Sequence, residues 1–155
     1  MSDARFEDGV DVPLHLKALD QDDLSVLSAL VQDAVFPAPE MTWSASKRRF
    51  ALLLNRFRWE AERPAANEPE RVRALLVIED AMRVSSQGID RTDHDLILSL
   101  LSIQFAPGED GTGRLELTLA GDGAISIEVE ALDVTLKDVT RPYVAPSKST
   151  PRHPE

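Results

Sequence analysis

The apolar residues of this chain change rhythm at Pro37. Before it, Leu24, Leu27, Leu30, Val31 and Ala34 recur every three or four residues; beyond it, apolar residues recur every second position. The first spacing is one face of a helix, the second one side of a strand. This switch predicts a single early helix followed by strands. The expected fold class is α+β, with the N-terminal helix packed on a curved, mostly antiparallel sheet or partly closed barrel of about seven strands. A pleckstrin-homology-like barrel is the alternative, and it needs a closing helix over residues 133–139.

The helix reads from LDQDDLSVLSALVQDAV, residues 19–35. Asp20 suits the N-cap, and Asp22 and Asp23 sit in the first turn, where carboxylates accept free N–H groups and oppose the helix dipole. Leu19 and Leu24 have the spacing of a hydrophobic staple. Leu24, Leu27, Val31 and Ala34 make the buried stripe, widened by Leu30 and Val35, and Pro37 and Pro39 end the element.

Met41 and Trp43 open a short strand, and Ser44–Lys47 turns it into a longer one, Phe50–Trp59. The first half of that strand is apolar on both sides and so belongs at the centre of the sheet, covered twice. Its second half sets Arg56, Arg58 and Glu60 opposite Phe57 and Trp59, which predicts that the arginine side meets water. AERPAANEP (61–69) reads as a polar loop. Alternation resumes over 71–84, interrupted by Asp80, and again over Leu96–Phe105. Leu115, Leu117 and Leu119 are joined to Ile125, Ile127 and Val129 through AGDGA (120–124), a glycine-bracketed hairpin turn. At Leu132 the phase slips by one residue, so either a bulge lies near Ala131 or a short helix starts at Asp133. The domain boundaries follow: a disordered lead-in at 1–12, one domain at 13–140 and a disordered proline-rich tail at 141–155.

The chain has 155 residues, no cysteine and a formal net charge of −10. Absence of cysteine excludes disulfides, thiolate catalysis and iron–sulfur clusters. The charge argues against global attraction to nucleic acid or anionic membranes. The start, MSDARFEDGVDV, has no leader pattern and no apolar run is long enough to span a bilayer, so the expected location is cytoplasmic.

Catalytic patterns are sparse. GEDGTG (108–113) lacks the lysine and the following helix of a phosphate loop and reads as a turn. His15, His94 and His153 are the available imidazoles. DRTDHD (90–95) collects Asp90, Asp93, His94 and Asp95, but no spacing in it matches a metal loop, and a solvated turn explains it. Asp80 on an apolar side must turn outward at a bulge or find a partner. No cofactor and no metal site are expected.

The positive charge is concentrated. Residues 47–73 carry eight Lys/Arg and four Glu, a net +4, against −14 for the remainder. If the strands at 48–59 and 71–84 pair, Arg56, Arg58, Arg71 and Arg73 share one region with Phe57 and Trp59 nearby. Arginine beside an exposed aromatic can hold an acidic peptide or single-stranded nucleic acid. The plainer reading pairs these arginines with Glu60, Glu62, Glu68 and Glu70 and buries Phe57 and Trp59.

LKALDQDDLSVLSALVQDAV (16–35), KRRFALLLNRFRWE (47–60) and IEVEALDVTLKDV (127–139) together resemble a bacterial domain-of-unknown-function family, DUF family 2948. The resemblance rests on the capped helix with its Gln32-Asp33-Ala34 step and on the strand ending Asn55 to Glu60. It implies a cytoplasmic single-domain protein, sometimes encoded near histidine-biosynthesis genes. It carries no activity, cofactor or catalytic residue. Three functions are then open. One is a non-enzymatic binding or regulatory module, with Arg49, Asn55, Arg56, Arg58 and Trp59 as the ligand-binding residues and a protein or small anion as partner. The second is a small enzyme acting on an anionic metabolite through Asp80 or His94, and the third is RNA binding. Exposed sheet edges leave room for a homodimer.

Overall fold

A computed structural model describes residues 12–60, 70–90 and 92–144. The expected lead-in, the loop at 61–69 and most of the proline-rich tail fall outside those residues, as do Glu62, Glu68 and His153. Strand β1 (His15–Ala18) leads into helix α1 (Gln21–Leu30). The Asp20 carboxylate accepts the Asp23 N–H at 2.8 Å, so the N-cap forms as the sequence predicts. The staple does not, because Leu24 is buried and Leu19 lies 60% exposed.

The helix is shorter than expected. Leu24, Leu27, Val31 and Ala34 are all buried, but only the first two lie in the helix. Asp33 takes a positive φ of 67°, its N–H bonds to the Leu100 carbonyl, and Ala34–Pro37 becomes strand β2. Pairing with a distant strand thus overrides the local helical spacing.

After a 3-10 turn at Ala38–Glu40 come β3 (Met41–Ser44), β4 (Arg49–Phe57), β5 (Glu70–Ile78), β6 (Ala81–Gln87), β7 (Ile97–Pro107), β8 (Gly113–Leu119), β9 (Ala124–Val129), β10 (Val134–Asp138) and the two-residue β11 (Tyr143–Val144). Among the described residues ten strands have four residues or more, against the seven expected, because the piece at 34–37 joins the sheet and 71–84 and 124–138 each divide in two. The order is β1-β10-β5-β4-β2-β7-β8-β9-β6, with β11 beside β5 and β3 beside β4, and every pairing is antiparallel.

The phase slip at Leu132 is neither a bulge within one strand nor the start of a helix. It falls in the link between β9, which pairs with β8 and β6, and β10, which pairs with β5 and β1. Without a helix over 133–139 the pleckstrin-homology-like alternative is overturned.

The sheet curls. Strands β5 and β6 are joined by Glu79 and Asp80 alone, yet β6 is the far edge of the strand order. Asp80 takes a φ of 55°, and the Ala81 N–H reaches the Arg48 carbonyl at 2.9 Å. The inner side therefore forms one core, in which Leu52, Leu54, Leu76 and Ile78 meet Leu100, Leu115, Leu117 and Ile127. The curl stops short of closure: β6 pairs with β9 but with neither β3 nor β4. Helix α1 packs on β7 and β1, adding Leu24 and Leu27 to the core. Among the described residues no helix is long and apolar enough to cross a membrane.

Candidate functional site

The five expected binding residues do not share one face. Strand β4 alternates strictly, and Arg56 and Arg58 continue the inner side of Phe50, Leu52 and Leu54, while Arg49, Asn55, Phe57 and Trp59 lie on the outer side. The expectation that the arginine side meets water is reversed. Arg56 is 0% exposed and Arg58 4%, whereas Phe57 and Trp59 are only partly buried.

Burial of Arg56 is matched by carboxylates. Its Nε and Nη2 donate to the two oxygens of Asp138, each at 3.1 Å, while Nη1 and Nη2 donate to Glu60 at 2.9 and 2.7 Å. Arg58 donates from Nη1 to Glu70 at 2.5 Å, and its Nε lies 3.8 Å from Glu60. The planar guanidinium fork suits such two-pronged pairing. Asp138 also accepts the Leu14 N–H at 2.9 Å, tying the entry of β1 to the cluster. Desolvation opposes the Arg56 charge, but hydrogen bonds and charges from Glu60 and Asp138 outweigh it, so the guanidinium pKa rises above its ordinary value. For Glu60, burial pushes the carboxyl up, yet Arg56 more than offsets this and holds it below the ordinary glutamate value. Two guanidiniums facing three carboxylates have no surplus positive charge for an anionic ligand.

The other three residues also have internal partners. Arg49 Nε donates to both oxygens of Glu79 at 3.1 Å. Asn55 Nδ2 donates to the Tyr143 hydroxyl at 2.6 Å. Trp59 Nε1 donates to the Gln32 carbonyl at 2.9 Å, and its ring meets Phe57 edge-on at 4.6 Å.

A cationic face does exist, with different members. Cross-strand register places Asn55 opposite Arg73, Phe57 opposite Arg71 and Leu53 opposite Leu75 on the outer side of β4 and β5. Lys137 of β10 lies opposite Leu75, and Tyr143 of β11 opposite Arg71. Arg73 and Lys137 are exposed; Leu53, Leu75 and Val77 are half-buried. The carboxylates bordering this face are already paired, Glu79 with Arg49 and Asp133 with Lys17. Among the described residues no element forms a second layer over it, so β4 is central in hydrogen bonding but not covered twice. The sequence placed Arg71 and Arg73 in this region. It missed Lys137, which lies far along the chain, and Tyr143, which falls in a proline-rich stretch.

A second concavity follows from incomplete closure. A pocket of about 280 Å³ lies between β3 and β6, with Met41 and Trp43 on one wall, Val84 and Ser86 on the other, and Phe50 and Ile125 in its lining. Trp43 is opposite Phe50, on the core side of the sheet, yet is 37% exposed because β3 has no neighbour on its outer edge. His94 and Asp93 contribute to the lining. Among the described residues no Lys or Arg lines it. Asp80 is half-buried in the link between β5 and β6 and does not line this pocket.

The DRTDHD stretch folds as turns. Asp90 accepts the Thr92 hydroxyl at 2.6 Å and its N–H at 3.0 Å, which holds the carboxyl below its usual value. Asp93 accepts the Asp95 N–H at 3.0 Å. Among the described residues no group of three or more His, Asp or Glu is placed to hold a metal ion.

A family model described as "Protein of unknown function (DUF2948)" matches residues 14–153. The chain belongs to that family. The match covers every described strand, the buried Arg56 cluster and both surfaces of this DUF2948 protein. No curated protein and no solved structure matches it.

Proposed function

We propose that this DUF2948 protein is a cytoplasmic, non-enzymatic binding module that docks an acidic protein segment on the outer side of β10, β5 and β4. The observation that carries the reading is the charge arrangement. On a chain of net charge −10, Arg71, Arg73 and Lys137 surround a half-buried apolar strip of Leu53, Leu75 and Val77. The neighbouring carboxylates Glu79 and Asp133 are engaged by Arg49 and Lys17. Such a face attracts a carboxylate-bearing segment and offers apolar area for its hydrophobic residues. A long nucleic acid is a poorer fit, since the rest of the protein repels a polyanion.

The test compares wild type with Arg71→Glu/Arg73→Glu as bait in native extract, with captured proteins identified by mass spectrometry. The expected outcome is a partner lost on charge reversal and weakened by salt, whose acidic segment alone, as a synthetic peptide, binds wild type but not the variant. Retention of every wild-type partner by the charge-reversed protein overturns the reading. The enzyme reading keeps one supporting feature, His94 beside an apolar pocket, with no cation for an anionic substrate among the described lining residues.

A further inference from the structure

The seam between β3 and β6 has a chemistry of its own, independent of the sheet face. Its lining is mostly apolar and includes aromatic and sulfur-bearing side chains, Trp43 and Met41 on one wall and Phe50 within. Phe50 and Ile125 are 2% and 1% exposed, so those two lining groups are held by the core and do not collapse into the space. Rings pack well against such groups, edge-to-face on Trp and Phe and against the Met thioether. Its size, about 280 Å³, is at the lower end for ligand sites and admits roughly one bicyclic ring.

The polar groups define the other end of the ligand. Asp93 lines the pocket, and its Oδ1 takes the Asp95 N–H, leaving Oδ2 for a ligand. The Ser86 hydroxyl and His94 imidazole add hydrogen-bonding atoms, and among the described residues no Lys or Arg is in the lining. An anionic head group would meet the Asp93 carboxylate as a like charge, whereas an ammonium finds its counter-charge there.

We propose that this seam is a binding site for a small aromatic amine, its ring between Trp43, Met41 and Phe50 and its ammonium on Asp93. The ligand fills the gap that incomplete closure leaves in the sheet. The site is separate from the cationic face, so the two readings stand or fall apart.

The test uses nitrogen-15 NMR of the full chain with tryptamine, neutral indole and indole-3-acetate as probes, the two indole N–H signals being told apart with Trp59→Phe. The expected result is a saturable shift of the Trp43 indole N–H and of the Ser86 and Ile125 amides with tryptamine, and weaker binding of indole-3-acetate. Asp93→Asn weakens tryptamine by about two- to fivefold, as loss of a solvent-exposed ion pair should, and leaves indole unchanged. Ser86→Trp fills the seam and removes binding of all three, with an unchanged melting temperature showing that the variant is folded. The proposal is overturned by any of three results: no saturable shift at about 5 mM tryptamine, indole-3-acetate binding as tightly as tryptamine, or binding that survives in folded Ser86→Trp.

Discussion

Arg56 is the residue whose placement departs most from its reputation. A guanidinium with 0% exposure is tolerated only because Glu60 and Asp138 occupy its donors. Arg56→Leu leaves the Asp138 carboxylate buried without a counter-charge. We expect it to lower the unfolding free energy by about 3–5 kcal/mol, measured by urea denaturation. Adding Asp138→Asn should recover part of that loss, since an amide oxygen still accepts the Leu14 N–H; a double variant no more stable than Arg56→Leu would count against this account. The same cluster predicts acid sensitivity. Because the folded state depresses the Glu60 pKa, the contribution of Glu60 is complete above its unfolded value of roughly 4.3 and is lost as pH falls through the folded value. Urea midpoints recorded between about pH 6 and pH 3 should therefore fall more steeply for wild type than for Glu60→Gln. The arginine-rich stretch was legible as a special region, but its orientation was not. Alternation assigns Arg56 and Phe57 to opposite sides of a strand without saying which side is the core, and hydrophobicity chose Phe57. The cluster reversed the choice, because Asp138 and Glu70 reach the arginine side from other strands.

At the scale of elements, local signals worked where a contact is local. The Asp20 cap, the glycine turn at 120–124 with Gly121 at φ 81°, and the turn between β3 and β4 all form as their residues predict. They failed where a distant strand competes. Ala34 and Val35 continue a helical spacing, yet they pair with Leu100 and Ser99 in β7. The hairpin of β7 and β8 gives a further prediction. A Cβ added at Gly113 would clash with the Phe105 ring and approach the Ala106 carbonyl oxygen at 2.7 Å. Backbone cannot yield as a flexible side chain can, so Gly113→Ala should cost about 1–3 kcal/mol, read as a lowered melting temperature. Gly111→Ala, with nothing within 4 Å of the added Cβ, isolates the strain of a positive φ from steric overlap.

For the whole molecule, one continuous core joins α1 to strands from both ends of the order. We expect a single cooperative unfolding transition, with circular dichroism and the fluorescence of Trp59 in a Trp43→Phe variant giving the same midpoint. An earlier transition in either signal would mean that part of the sheet opens by itself. Both proposed surfaces arise at this scale. The cationic face exists because pairing brings Lys137 and Tyr143 to Arg71 and Arg73, and the seam because β6 pairs with β9 and leaves the outer edge of β3 unpaired. The amino-acid sequence alone determined the α+β class, the helix cap, most strand positions and the region richest in arginine, since each depends on side-chain periodicity or turn chemistry within a few residues. Tertiary structure alone decided which side of β4 is interior, where the helix stops, how the strands are ordered and that the sheet stays open. Those outcomes depend on which distant strands meet and which carboxylates they carry, and no local periodicity encodes that.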